Sequence, residues 1–410
     1  MVPHAVPLRA ALSLRHHHPR RLVGQALRVM SAADSFAGGP AAVCDSPVLV
    51  SGGGMAGVAV AATLVAAGVD VCLVEQGRGL GGRVATRRVR GQDFTFDHGC
   101  QYFAPKPSDP FAGVLASLAD AGVVARWGEG GRLGSLRCDA AGRLDLPTYT
   151  PQAPDKHAFV GVPSMSAVGR HLALAAAAQP GAGTLTVALG TRLAPGSLQP
   201  APGGGWVAGT GPKAEPTELR QTRHRHIVAA GSASSTFNVI NPVAAPLAAP
   251  AGSVTASPCW ALMVAFAAPL PAALLPFDGA LVEGSAAIAW AARNSSKPGR
   301  QSGAAETWVV HATAAWSTAH RGLSTEACAR ELLREWLACA GIAEPPALLY
   351  QESFLWNAAF PLNSLSLPTD SACAVDDTGL GLCGDWCVGP RAGDEWASGA
   401  AAARAVLARL

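Results

Sequence analysis

The feature that most constrains this chain lies between residues 47 and 75. Residues 47–51 read Pro-Val-Leu-Val-Ser, a short apolar run of the kind that fills a buried parallel strand. Gly52-Gly53-Gly54-Met55-Ala56-Gly57 follows, in the pattern G-x-G-x-x-G. Residues 58–67 are an Ala/Val/Leu run with no breaker, stopped by Gly68, and read as a helix. Residues 69–74 form a second apolar strand, and Glu75 closes it 18 residues beyond Gly57. Each glycine has a physical task in this order of elements. Gly52 permits a tight turn, Gly54 lets the backbone approach a pyrophosphate, and Gly57 lets the helix pack closely on the strand. The pyrophosphate meets free N–H groups at a helix N-terminus, where the dipole favours an anion. Glu75 can accept a hydrogen bond from a ribose 2′-hydroxyl and disfavours a 2′-phosphate. The segment predicts a dinucleotide-binding α/β unit.

The chain has 410 residues, 49% hydrophobic and 14% charged. That is material for two domains with large cores and not the composition of a disordered chain. The formal charge of +3 is owed to the N-terminus. Residues 1–33 carry five arginines and no acid, and the remainder holds 26 basic against 28 acidic residues. The body therefore carries no nucleic-acid footprint. The Arg- and Ala-rich start reads as an organellar transit peptide, with the chloroplast as the expected location and mitochondrion or cytoplasm as alternatives. Residues 1–45 are set outside the fold as a transit peptide or disordered tail. The ten cysteines show no Cys-x-x-Cys and no zinc-ligand spacing, so no metal is expected. Cys383 and Cys387 invite a redox reading, but a thiol in an apolar run behaves as a small hydrophobe. Residues 226–277 lack Asp, Glu, Lys and Arg, yet seven prolines interrupt them. They read as buried strands and surface loops, and no transmembrane segment is expected.

Glu75-Gln76-Gly77-Arg78-Gly79-Leu80-Gly81-Gly82-Arg83 runs from the acid into a second Gly-rich loop, placing Arg83 to reach the same pyrophosphate. This arrangement resembles the two-dinucleotide-binding flavoproteins of the amine oxidase type. The resemblance implies FAD, held noncovalently. Phe96-Asp97-His98-Gly99-Cys100-Gln101-Tyr102-Phe103 resembles the D-x-G-A-Q-Y-F segment of the renalase family. Ser257-Pro258-Cys259-Trp260, Ile288-Ala289-Trp290, Asn294-Ser295-Ser296-Lys297-Pro298-Gly299-Arg300 and Trp308-Val309-Val310-His311-Ala312 are similar to further renalase-like stretches. Leu382-Cys383-Gly384-Asp385-Trp386 resembles the last FAD motif of the superfamily. The matches keep their order from residue 47 to about 405, nearly all of the chain beyond its N-terminal extension. The resemblance puts Ala56 and Gly57, with Met55, at the pyrophosphate turn and Glu75, with Gln76, on the adenosine ribose. It puts Gly82 and Arg83 on the phosphates, and Gln101 and Tyr102 beside the flavin. Val187 would meet the adenine, and Gly384 and Asp385 the pyrophosphate and ribityl chain.

There are departures. The family commonly carries Val-Glu-Gly-Ala where this chain has Arg391-Ala392-Gly393-Asp394-Glu395-Trp396, at a helix start near flavin N1 and O2. Asp394 and Glu395 either face the flavin, disfavouring its anionic reduced form, or point to solvent and favour the helix N-terminus; the second is the expected one. Cys100 stands where Ala is usual, which raises a thiol near the flavin. Asn357 stands where Arg is usual.

The expected fold is α/β: a discontinuous Rossmann-type FAD-binding domain over 46–110, 160–235 and 370–410, and an α+β substrate domain over 111–159 and 236–369. The second domain's strand candidates, 259–268, 279–283, 286–292 and 307–313, are spaced as a mainly antiparallel meander, and 326–340 is an amphipathic helix. Residues 195–217 read as a surface insertion. A flavin does the hard chemistry of hydride transfer, so no acid/base constellation is required and none is evident. Candidate catalytic residues are Tyr102, Trp290, His311 and Trp356. Lys297 and Arg300 read either as phosphate ligands or, more plainly, as part of an exposed loop. The resemblance implies an oxidoreductase taking hydride from a small reduced substrate, such as a dihydronicotinamide isomer, with dioxygen or another acceptor reoxidising the flavin. An amine or pigment-precursor oxidase and a non-enzymatic FAD-stabilised regulator are the alternatives. The sequence leaves protein partners unknown.

Overall fold

A computed structural model describes residues 27–30, 45–213, 219–300, 302–371 and 374–410. The transit-peptide reading therefore falls almost wholly outside the described residues. The expected α/β class is observed. The first sheet has seven strands in the order Leu27–Met30, Leu185–Leu189, Val71–Glu75, Val48–Ser51, His226–Ala229, Leu380–Leu382 and Ala374–Val375. All neighbours are parallel except the last pair. Val48, Leu49, Val50 and Leu73 are fully buried, as strands covered on both faces must be. Helix Met55–Ala66 leaves Val48–Ser51 toward Val71–Glu75, whereas His226–Ala229 lies on the other side. The chain order reverses at Val48–Ser51, and the carboxyl ends of such strands open the ligand crevice of a doubly wound sheet.

Helix Met55–Ala66 is covered by helices Ser166–Ala177 and Ala392–Leu407. The latter approaches through Gly399, where a Cβ would lie 2.1 Å from the Ala56 carbonyl oxygen. Small residues let the two backbones meet here.

The second sheet runs Leu348–Pro361, Ala256–Phe266, Glu306–Ala312, Ile288–Arg293, Gly279–Glu283, Leu133–Cys138 and Leu144–Pro151. It is antiparallel except where Gly279–Glu283 pairs with Leu133–Cys138. Helix Thr325–Cys339 begins at an N-cap Ser324 that accepts from the Ala327 amide, and it packs its apolar stripe on the sheet. Trp308 and Trp336 are fully buried there, with ring centroids 5.6 Å apart. Burying such side chains stabilises by about 2–3 kcal/mol each.

Several boundaries differ from the sequence expectation. Residues 1–45 are not wholly outside the fold, because Leu27–Met30 pairs in register with Leu185–Ala188. Part of the uncharged 226–277 run forms helices Ala233–Ile240 and Ala245–Gly252, whose Val239, Ile240, Ala248 and Ala251 pack with Leu49, Ile227 and Leu380. They belong to the first sheet, so the boundary expected at 235 moves to about residue 254. Helix Pro110–Asp120 packs Phe111, Val114 and Leu118 with Met55, Val58 and Ala59 and also joins the first domain. Much of the 195–217 insertion is an ordered antiparallel sheet built on Trp206–Pro212, with Trp206 buried. Among the described residues no helix is long and apolar enough to cross a membrane.

Candidate functional site

The Gly-rich turn sits at the switch point. Gly52 has φ +111°, and a Cβ there would lie 2.8 Å from the Ala230 carbonyl oxygen. A Cβ on Gly57 would overlap the Gly52 carbonyl oxygen at 1.8 Å. The second Gly-rich loop closes on the first: the Gly81 amide donates to the Gly53 carbonyl at 2.7 Å, and a Cβ on Gly82 would come within 2.9 Å of Gly54 Cα. Glu75 joins the two loops, accepting from the Gly53 amide (2.6 Å) and the Gly77 amide (2.5 Å). Burial raises its carboxyl above the usual range, against the lowering by these two amides. Gln76 is exposed beside it.

Arg83 projects from the second loop onto the final motif. Its Nη1 donates to Asp385 Oδ2 at 2.5 Å and to the Ala359 carbonyl at 3.0 Å, and its Nη2 lies 3.6 Å from Glu395 Oε2. The other Glu395 oxygen, Oε1, accepts from the Ala56 amide at 3.4 Å, at the start of helix Met55–Ala66. Burial raises the Glu395 carboxyl, the Arg83 charge opposes that rise, and Asp385 adds to it. The expected solvent-facing orientation does not hold for Glu395: it is buried and points into the Gly-rich turn. The packing at Gly399, one turn further along its helix, brings it there. Asp394 does serve the helix start, accepting from the Arg391 amide at 3.2 Å and pairing with its guanidinium at 3.0 Å. It is buried, not solvent-facing. Gly384 donates its amide to Ser398 Oγ at 3.0 Å. Val187 lies mid-strand, aligned with Leu73, and Leu189 is the residue level with Glu75. The expected adenine contact is thus two residues short of the strand end.

The segment 94–103 crosses between the two sheets. Asp97 is fully buried and holds Lys297 Nζ (3.3 Å) and the Arg300 guanidinium on one oxygen, and Thr86 Oγ1 (2.6 Å) and the Met165 amide (3.3 Å) on the other. Burial raises the Asp97 carboxyl, but the Lys297 and Arg300 charges outweigh it and hold it below the usual range. Burial lowers Lys297 to about 8 despite the Asp97 charge. Lys297 and Arg300 are therefore not an exposed loop and not free for a phosphate: a buried carboxylate already claims both charges.

Gln101 is also spent within the protein. Its Oε1 accepts from Lys297 Nζ at 3.1 Å, and its Nε2 donates to the carbonyls of Asp97 (2.5 Å) and Gly99 (3.0 Å). His311 and Trp356 converge on one atom: His311 Nε2 lies 3.1 Å and Trp356 Nε1 3.0 Å from the His98 carbonyl oxygen. A carbonyl only accepts, so the neutral His311 ring carries its proton on Nε2. Burial pushes the His98 and His311 imidazoles down to about 4. Both expected catalytic side chains thus anchor the 94–103 segment by their N–H groups. Tyr102 and Trp290 do come together, with ring centroids 5.7 Å apart, and Trp127 joins them at 6.1 Å from Tyr102. Lys297 Nζ lies 5.0 Å over the Trp127 ring. Cys100 donates its thiol to the Tyr102 carbonyl at 3.3 Å, and burial pushes it up to about 11, so it is protonated and a poor nucleophile. Cys383 and Cys387 are buried. Among the described residues no cluster has the makings of a metal site.

A cavity of about 340 Å³, near the small end of ligand pockets, is lined by Arg83 of the second glycine loop, by Ser232 and Asp385 beyond the ends of two first-sheet strands, and by Ala256 and Asn357 of the second sheet. Its polar lining is Arg83, Asp385, Ser232, Ser234, Thr255 and Asn357. Asn357 accepts from Arg321 at 3.1 Å, which brings a guanidinium to a position where the sequence offered only an amide. Trp127 and Arg321, which the sequence does not single out, and the partners of Asp97 and Glu395, which it does not foresee, all depend on residues distant in the chain.

The two glycine loops, the strand-end acid and the helix N-terminus at the switch point define a Rossmann-type dinucleotide site. Residues 50–118 match the NAD(P)-binding Rossmann-like domain family. The whole fold is similar to that of several solved structures. A candidate protoporphyrinogen oxidase from Exiguobacterium is 13% identical, with a TM-score of 0.60 over 88% of this chain and 99% of that one. A putrescine oxidase bound to putrescine is 12% identical, with a TM-score of 0.61 over 89% and 99%. A geranylgeranyl bacteriochlorophyll reductase-like protein from Thermoplasma acidophilum is 14% identical, with a TM-score of 0.53 over 88% and 78%. At these identities the likeness is one of fold.

Proposed function

We propose that the chain is an FAD-dependent oxidoreductase that takes hydride from a small reduced substrate. The observation that carries the reading is the double glycine loop tied by Glu75 at the start of helix Met55–Ala66, where no side chain of the helix itself caps the free amides. The donor chemistry fits a diphosphate: an anion, the Glu395 carboxylate, already lies on it. Gly52, Gly54 and Gly57 would cradle the diphosphate, Glu75 the adenosine ribose, and Arg83 and Asp385 the chain beyond. Bound flavin would supply the two-electron acceptor. The protonated Cys100 thiol supports noncovalent binding. Tyr102, Trp290 and Trp127 offer an aromatic wall suited to a planar ring, which favours a dihydronicotinamide over an aliphatic amine. With His311 and Trp356 holding the backbone, the chain's own work is to orient reactants and exclude water. A chloroplast location is part of the same reading and rests on the N-terminal composition alone.

Titration with FAD, followed by flavin fluorescence, tests the cofactor, with FMN as comparison because it lacks the adenosine half that Glu75 would hold. Saturable binding of FAD and not FMN is expected, followed by anaerobic bleaching with dihydronicotinamide isomers. Bleaching by a diamine instead would favour amine oxidation. Bound FAD that no donor reduces would favour a regulator.

A further inference from the structure

Helix Met55–Ala66 begins without the usual side-chain devices. Its N-cap is Gly54, no side chain caps it, and its first turn holds no acid. The carboxylate that serves it comes from Glu395, 339 residues away. Glu395 Oε1 is 3.4 Å from the Ala56 amide, and a Cβ on Gly54 would lie 2.6 Å from the same oxygen. The Gly54 face that must stay bare for a diphosphate is therefore covered by a side chain of the chain itself. Gly399 holds this geometry by backbone contact with Ala56, one turn beyond Glu395. Arg83 serves Asp385 and Glu395 together, so with both carboxyls ionised a single cation faces two anions here. A diphosphate would add negative charge beside an existing carboxylate, within a few ångströms and partly out of water.

We propose that Glu395 is a built-in competitor for the cofactor's diphosphate: it holds the helix N-terminus in the cofactor-free protein, and the dinucleotide enters only by displacing it. Arg83 is shared between the two states. It pairs with Asp385 and Glu395 in the free protein and is left to Asp385 and the diphosphate in the loaded one. The inference rests on the FAD reading above and concerns how tightly, not whether, the site takes its cofactor.

Equilibrium titration with FAD, and separately with ADP, tests it on the wild-type chain and on Glu395→Gln and Glu395→Ala. Gln keeps the size and removes the charge; Ala removes both. Asp394→Asn is the control, because that neighbouring carboxylate pairs with Arg391 and not with the turn. Both Glu395 variants should bind FAD and ADP at least about tenfold more tightly than wild type, and Asp394→Asn should bind like wild type. Circular dichroism checks that each variant is folded, and the isosteric Gln variant guards against loss of the Ala variant. Wild-type affinity equal to or above that of both Glu395 variants would overturn the proposal while leaving the FAD reading intact. An equal gain from Asp394→Asn would overturn it too, since the effect would then be one of general charge. If no variant bound FAD or ADP at any attainable concentration, the dinucleotide reading would fall and the proposal with it.

Discussion

Around Asp97 one carboxylate lies between two cations, whereas around Arg83 one cation lies between two carboxylates. The first cluster is complete. Both Asp97 oxygens have donors from the chain, and Lys297 and Arg300 are shut away from water. It joins the 94–103 segment to the second sheet as a fixed joint. The second cluster is over-supplied with negative charge, remains partly open at Arg83, and borders the cavity. Its spare carboxylate rests on a helix N-terminus. A buried network whose charges are all paired within the chain holds a fold together.

The comparison breaks most readily at Asp97. Asp97→Asn leaves two buried cations without a carboxylate and should cost about 3–5 kcal/mol in denaturant unfolding. An unchanged midpoint would show that the cluster is not a joint. Acid comes next. His98 and His311 have folded-state values of about 4 against 6.5 in the unfolded chain. The unfolded chain takes up protons first, so the stability present above pH 6.5 is lost as pH falls toward 4. By pH 5 the loss should reach about 2 kcal/mol per histidine. Thermal melts at pH 7 and pH 5 would register it, and His311→Gln should remove part of the difference. The smallest effect belongs to Arg334, which sits between Glu331 and Glu335 in the same acid–Arg–acid arrangement as Arg83 but on the surface. Arg334→Gln should leave the melting midpoint unmoved, since exposure and not composition separates the two arrangements. A clear shift would undo that distinction.

The parts legible in the sequence are those set by neighbours in the chain. The Gly-rich turn, Glu75 and the second glycine loop act within some 30 residues, and their spacing alone implies their geometry. The helix at 325–339 shows its apolar period. Leu348–Pro361, the longest strand among the described residues, is not legible in the sequence because Gln351, Glu352 and Asn357 blur its alternation, and its burial pattern is itself irregular. The pairing of Asp97 with Lys297 and Arg300 spans 200 residues, and nothing local distinguishes Lys297 from a loop lysine. Glu395 stands out in the sequence as a departure, but its direction depends on Gly399 meeting Ala56, a contact that exists only when two distant helices are packed.

The strand Leu27–Met30 carries a practical consequence. It lies at the rim of the parallel sheet, beside Leu185–Leu189. A chain trimmed to begin at residue 46 would lose it and leave the outer row of backbone donors and acceptors of Leu185–Leu189 without their partner. Bare rims of this kind template pairing with a second copy. Light scattering should find a chain starting at residue 46 more prone to self-association than one that keeps residue 27 onward, so the choice of first residue governs solubility before any cofactor is added.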